Sequence, residues 1–225
     1  MSDVIPPPKR TSELVVAHMH QLIRSGEWPV GERIPAEPEL VGRFGVGRNT
    51  IREAVRALEH VGMLAPRRGD GTYVRSASPY AAVIQRSATT ELLDLLQVRR
   101  ALESEAAAGA ASTATAVAKR RIRKLLDTAE KALVSGDSEQ YDAADIDFHA
   151  GVVAASGNGL LVEIYAGVVE AMRRSHAEVT SAFRAGQMHP LGHRDLVDAI
   201  ERGDAEAARA AVHAYLTEAE KEVRR

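Results

Sequence analysis

The stretch "GVGRNTIREAVRAL", residues 45–58, decides how the chain is read. Ile51, Val55 and Leu58 recur at the spacing of one helical face, behind a glycine-containing entry. The polar residues are less ordinary. Arg48, Asn49, Thr50 and Arg52 crowd the first turns, where the peptide dipoles favour acidic groups. Cations at that end make sense where phosphates lie nearby.

The surroundings fit that thought. Just upstream, "AEPELVGRF" predicts a short helix, with Pro38 tolerated because it lies in the first turn. Gly45 makes the turn between the two helices. Further upstream, Leu14, Val15, Met19, Leu22 and Ile23 predict a helix from Thr11 to Ser25, ended by Gly26. The segment "GEWPVGERIP" excludes helix by its glycines and prolines. Downstream of Gly62, "MLAPRRGDGTYV" reads as strand, turn and strand. Residues 11–75 are therefore expected to form a winged helix-turn-helix, preceded by a disordered arm over residues 1–10.

In such a unit the second helix enters the DNA major groove with its N-terminal residues at the base edges. Arginine can fork onto guanine, and asparagine onto adenine. The Thr50 hydroxyl can take a phosphate, or its methyl can meet a thymine methyl. At the hairpin tip, Arg68 beside Gly69 can enter the minor groove. The bland alternative is a wet polar face on a structural helix. It must also account for the charge distribution: residues 43–75 hold seven Lys/Arg against three Asp/Glu, whereas the whole chain has a net charge of -2.

At this point a resemblance appears. Residues 26–74, "GEWPVGERIPAEPELVGRFGVGRNTIREAVRALEHVGMLAPRRGDGTYV", resemble the winged helix of GntR-type bacterial transcription regulators. The family pattern is Gly-x-x-x-x-Gly-x-x-[Leu/Ile]-Pro, then Val-Ser-Arg-x-Thr-[Val/Ile]-Arg-Glu-Ala, then Gly-x-Gly-x-[Phe/Tyr]-Val. Two positions depart from it. Gly47 replaces the usual Ser or Thr, removing a helix cap and a phosphate contact. Pro38 stands where an arginine often touches DNA. The resemblance implies that Arg48, Asn49, Thr50, Arg52, Arg68 and Gly69 meet double-stranded DNA.

The remainder is a different kind of chain. Aromatic residues are only 4% of the protein and alanine is abundant, which points to helices. After a linker over residues 76–89, periodicity predicts helices near 91–111, 119–134, 138–156, 158–183, 190–202 and 204–223. The apolar stripe of the first carries Leu92, Leu95, Leu96, Arg99, Leu102 and Ala106, and that of the second carries Ile122, Leu125, Leu126, Ala129 and Leu133. Short connections make residues 90–225 an antiparallel α-helical bundle. The fold class expected for the whole chain is mostly α. With no cysteine there is no disulfide framework and no thiolate metal site. No apolar run suits a bilayer, and "MSDVIPPPKR" has no secretory apolar core, so the expectation is a cytoplasmic protein without a membrane partner.

Asp145 and His149 lie four residues apart and share a helical face, and His193 opens a later helix that could converge on them. That trio can hold a divalent metal. It can equally be a hydrogen-bonded pair beside the core. Arg99 sits inside an apolar stripe, where a guanidinium needs a partner. The candidates are an effector carboxylate, held bidentately, and Glu103 one turn on. Asn158 in "SGNG" reads as a helix cap.

The segments 145–161 ("DIDFHAGVVAASGNGLL") and 193–216 ("HRDLVDAIERGDAEAARAAVHAYL") resemble the FCD domain, the effector-binding bundle of the FadR-type branch. Its metal-binding members use an Asp, a His four residues on, a His at the "HR" position and a His on the last helix. The first three match Asp145, His149 and His193; the fourth falls on Tyr215. His213 lies two residues away, about 200° round a helix, and His176 is a possible substitute. The resemblance implies Zn, Ni or Mn at this site, with Arg99 and Tyr215 toward the effector.

The expected function is a homodimeric transcription regulator, a repressor, controlled by a small carboxylate metabolite and bound to a palindromic operator. It is not expected to be an enzyme. A metal-dependent enzyme on Asp145, His149 and His193 is the rival from another class, but no general base or nucleophile stands with them. A constitutive DNA-binding dimer without an effector is the third reading.

Overall fold

The computed structural model describes residues 10–86, 92–170 and 192–224. The N-terminal arm, His176 and the later part of the helix expected over 158–183 lie outside them. The chain divides into two compact units, Met1–Arg86 and Ser87–Arg225.

In the first unit, α1 (Thr11–Arg24) has Glu13 in its first turn and Arg24 in its last, the signs the helix dipole favours. It buries Val15, Met19, Leu22 and Ile23, while Leu14, one step round the helix from Val15, stays exposed. α2 (Glu37–Phe44) starts with the Glu39 carboxylate accepting from the Ala36 N–H at 2.8 Å. Pro38 occupies its first turn, where no intrahelical donor is required. Gly45 ends it at φ 64°, a left-handed conformation that a side chain would resist. α3 (Arg48–His60) follows and buries Ile51, Ala54 and Leu58.

β1 (Leu64–Arg67) and β2 (Gly71–Val74) pair antiparallel, with Leu64 opposite Val74 and Arg67 opposite Gly71. The segment 31–34, read from sequence only as non-helical, lies along β2: Gly31 N–H donates to the Val74 carbonyl at 2.8 Å and Ile34 N–H to the Thr72 carbonyl at 2.9 Å. Trp28, Ile34, Leu40, Met63 and Leu64 join the helix faces in one apolar core. Part of the expected linker is structured. Ser76 is buried and its hydroxyl donates to the Ser78 carbonyl at 2.7 Å, and α4 (Pro79–Arg86) occupies most of the remainder. Ser78 helps start α4 by accepting from the Tyr80 N–H, a local capping signal easily missed in a short polar run.

The second unit contains α5 (Leu92–Thr113), α6 (Ala116–Ser135), α7 (Ser138–Ala155), α8 (described over residues 159–170), α9 (His193–Arg202) and α10 (Ala205–Val223). Thr115, Asp137 and Asn158 cap α6, α7 and α8, each accepting from a backbone N–H three residues on. α5 lies along α10, and α6 along α7. Ala107, Ala110 and Ala111 share the core with Ala208, Ala211 and Ala219, small residues that let helices approach closely. Phe148, Leu196, Ile200 and Leu216 fill the same core. On α6 the buried stripe runs through Ala132, leaving Leu133 on the exposed side.

Candidate functional site

In the first unit, the polar positions of α3 stand in the open. Arg48 and Asn49 are exposed and Thr50 is half-buried. The first turn has no acidic residue, and Gly47 supplies no side-chain cap. Free N–H groups and two arginines therefore share one helix end. Arg52 is also exposed, and its Nε donates to Glu37 of α2 at 2.7 Å. This ties the two helices of the motif together and leaves the outer edge of the guanidinium facing outward. The hairpin tip is braced separately. The Arg67 guanidinium lies 3.8 Å over the Tyr73 ring, and the Tyr73 hydroxyl donates to Asp70 at 2.7 Å. Arg68 and Gly69 form the exposed tip, with Gly69 at φ 76°.

The second unit contains a polar cluster buried in its bundle. Glu103 on α5 is its hub. One carboxylate oxygen accepts from Arg99 Nε at 2.6 Å and from the Tyr165 hydroxyl at 2.7 Å. The other accepts from the Tyr215 hydroxyl and lies 3.0 Å from His149 Nδ1. Of the two partners open to Arg99 in the sequence, Glu103 is the one the structure pairs with it. The Tyr215 phenol, expected toward an effector, also points at Glu103, with His149 Nδ1 3.4 Å from its oxygen.

His149 bridges to a second group. Its Nε2 lies 3.6 Å from Asp145 Oδ1, and His193 Nδ1 lies 3.8 Å from that same oxygen. Asp145 Oδ1 and His193 Nδ1 are buried and make no hydrogen bond among the described residues. Two buried polar atoms left unmatched at one spot ask for an explanation, because such groups are nearly always satisfied. Asp145, His149 and His193 offer ligand atoms within 4.8 Å of one another. Two ligands bound to one ion at about 2.0–2.2 Å stand about 3–4 Å apart, so a small closure would complete a site. The donor set therefore fits a divalent metal. His213 is exposed on α10 and takes no part in this group.

The electrostatics agree with this division. Burial would raise the Glu103 carboxyl, but Arg99 and His149 outweigh it and hold it well below the usual range. Burial would lower His149, yet Glu103 and Asp145 raise it to about 9. Burial would raise Asp145, while His149 draws it down to about 2. His193 is lowered to about 4, first by burial and then by the charge on His149. A neutral His193 with an unshared lone pair is the form a metal needs.

Arg99 was visible in the sequence as a cation out of place. Glu103 appeared only as one of two candidate partners for it. No local signal announced that both tyrosines and a histidine would meet that carboxylate.

Residues 11–74 match the model of bacterial regulatory proteins of the gntR family, and residues 94–218 match the FCD domain. The chain belongs to the gntR family. It is 31% identical to the "Putative L-lactate dehydrogenase operon regulatory protein" of Escherichia coli (strain K12), over 93% of this chain and 85% of that one. It is 28% identical to the "HTH-type transcriptional repressor NanR" of Cronobacter sakazakii, over 92% of this chain and 83% of that one. The solved structure of Streptococcus agalactiae GntR has a TM-score of 0.57 at 27% identity, covering 93% of this chain and 99% of that one.

This GntR regulator thus carries a winged helix-turn-helix for DNA and an FCD bundle. Its family consists of transcription regulators, which sets aside the metal-dependent enzyme. Among the described residues, no helix is long and apolar enough to cross a membrane.

Proposed function

We propose that this GntR regulator works as a homodimeric repressor whose hold on a palindromic operator is set by a small carboxylate bound beside a metal in the FCD bundle. The observation that carries the sensor half is the pair of unmatched buried atoms, Asp145 Oδ1 and His193 Nδ1, with His149 Nε2 beside them. Asp145, His149 and His193 would hold Zn, Ni or Mn. The ion would act as a Lewis acid toward an anionic oxygen of the effector. Tyr215 stands where metal-binding relatives are expected to place a fourth ligand, so a coordination position is left for that oxygen or for water. The Arg99 guanidinium has five N–H donors, and its Nε is committed to Glu103; the remaining fork is assigned to the effector carboxylate. One relative is named for an L-lactate dehydrogenase operon, and lactate is a hydroxycarboxylate of the kind such a centre suits.

For the DNA half, Arg48 and Asn49 read base edges, Thr50 and Arg52 take phosphates, and Arg68 with Gly69 enters the minor groove. A dimer supports this arrangement because two wings on a two-fold axis double the phosphate contacts and impose a palindrome. Light scattering on the DNA-free protein is expected to report two chains per particle.

The test of the sensor is a comparison of wild type with His149→Ala. Elemental analysis should find metal in the wild type and none in the variant, and only the wild type should gain thermal stability with lactate or related monocarboxylates. DNA binding without effector should survive in the variant, because the ligands lie in the other compact unit. A wild type that takes up no Zn, Ni or Mn, joined to a variant that still answers the carboxylate, would overturn the metal centre.

A further inference from the structure

Glu103 is the most heavily used polar group in the bundle, yet it is not among the three metal candidates. A carboxylate offers about four lone-pair positions. Here four donors converge on them: Arg99 and Tyr165 on one oxygen, Tyr215 and His149 on the other. Glu103 is therefore saturated and has no capacity left for a metal or an effector. Asp145 and His193 are the reverse, each with an unmatched buried atom. His149 is the residue that joins the satisfied half to the unsatisfied half.

The two ring nitrogens of His149 face different carboxylates. Nδ1 faces Glu103 at 3.0 Å, and Nε2 faces Asp145 at 3.6 Å. Carboxylates at both nitrogens hold a proton on each in the metal-free protein; Glu103, the closer, keeps the Nδ1 proton, and an ion entering beside Asp145 displaces the Nε2 proton and takes that lone pair. Metal-bound histidines are held in this way by a second carboxylate, which orients the ring and raises its basicity. Packing alone does not supply the tautomer. Phe148 contacts the imidazole ring at a centroid separation of 5.1 Å without distinguishing the nitrogens, and the Tyr215 hydroxyl, 3.4 Å from Nδ1, already gives its proton to Glu103.

We infer that Glu103 is the positioning residue of this centre: by accepting a hydrogen bond from the Nδ1–H of His149 it turns Nε2 toward Asp145 and His193, and so sets the affinity for metal. The inference rests on the metal reading of the site. Arg99, Tyr165 and Tyr215 fix the carboxylate in turn, so the orientation of His149 is imposed by three helices other than its own.

The experiment compares full-length wild type, Glu103→Gln and Tyr165→Phe. Zinc affinity is measured by competition with a chelating dye, folding by circular dichroism, and the His149 tautomer by imidazole ¹⁵N shifts of the zinc-loaded protein. Loss of Glu103 is expected to weaken zinc by about 10–100-fold, the usual effect of removing such a partner. The Nδ1–H signature of His149 should be lost or displaced. Tyr165→Phe removes a donor from the far carboxylate oxygen. It should cost less stability than Glu103→Gln, because one hydrogen bond is lost and no charge, while leaving zinc affinity within about threefold and the tautomer intact, since the His149 contact remains. If folded Glu103→Gln binds zinc as the wild type does, Glu103 is only a structural partner of Arg99 and the inference falls by itself. If the wild type binds no zinc, the metal reading falls and takes this inference with it. If Glu103→Gln does not fold, Glu103→Asp serves instead: its shortened reach should weaken zinc and shift the His149 signals, and wild-type values for both would overturn the inference.

Discussion

The N-terminus of α3 and the centre around Glu103 are both crowded with polar side chains, but one stands in water and the other is sealed inside a bundle. At α3, water solvates Arg48 and Asn49 whether or not DNA is present. Their placement can therefore answer to the ligand rather than to the fold. Inside the bundle the fold must satisfy every charge first, and four donors close on Glu103 before anything else can bind. What the fold leaves unsatisfied, at Asp145 and His193, then becomes the informative part. An exposed site is recognised by residues that the fold does not need, and a buried one by valences that the fold does not fill.

Removing one charge from each side separates the two regions. Arg99→Ala would leave Glu103 without its buried cation. Stripping one member of such a pair costs about 3–5 kcal/mol, and denaturant unfolding followed by circular dichroism should show a loss of that size. A loss no larger than that of an exposed pair, about 0–1 kcal/mol, would mean that the centre is wetter than its burial implies.

On the exposed side, Arg48→Ala should leave stability unchanged and cost about 1–3 kcal/mol in operator binding, with relaxed preference at one base pair. Arg52→Ala should instead weaken all sequences alike and flatten the salt dependence by about one phosphate contact. Fluorescence anisotropy on operator and random DNA at several salt concentrations separates the two. An Arg48/Arg52 double variant that keeps its operator affinity would remove α3 from the DNA interface.

The smallest effect expected is at Gly47. Its backbone is already in the extended conformation of a helix cap, and an added Cβ would meet nothing within 4 Å. Gly47→Ser should stabilise the first unit by only a few tenths of a kcal/mol, since glycine is itself a tolerable cap. It should also tighten DNA modestly by restoring a phosphate donor. Weaker DNA binding in that variant would show that the bare glycine is needed for close approach to the duplex.

Much of this protein was determined by the sequence alone. Periodicity places most of the helices, because each needs only its own apolar stripe and a stop such as Gly45 or Gly136, but it starts α6 three residues late and passes over α4. The glycine and arginine pattern of residues 26–74 is read the same way, since turns and exposed cations depend on near neighbours. Asp145 and His149 are legible as a pair because helix geometry alone puts them on one face. The tertiary structure decided what meets across the bundle. Tyr215 is 112 residues from Glu103 and Tyr165 is 62 residues from it. Which hydroxyl reaches which carboxylate depends on helix rotation and packing, and no local pattern carries that information. The segment 31–34 is similar: its pairing with β2 depends on an edge formed forty residues later, between Arg33 and Tyr73. Local order follows from spacing, whereas the partner of a buried charge follows from the fold as a whole, because only the assembled bundle removes the water that would otherwise have served.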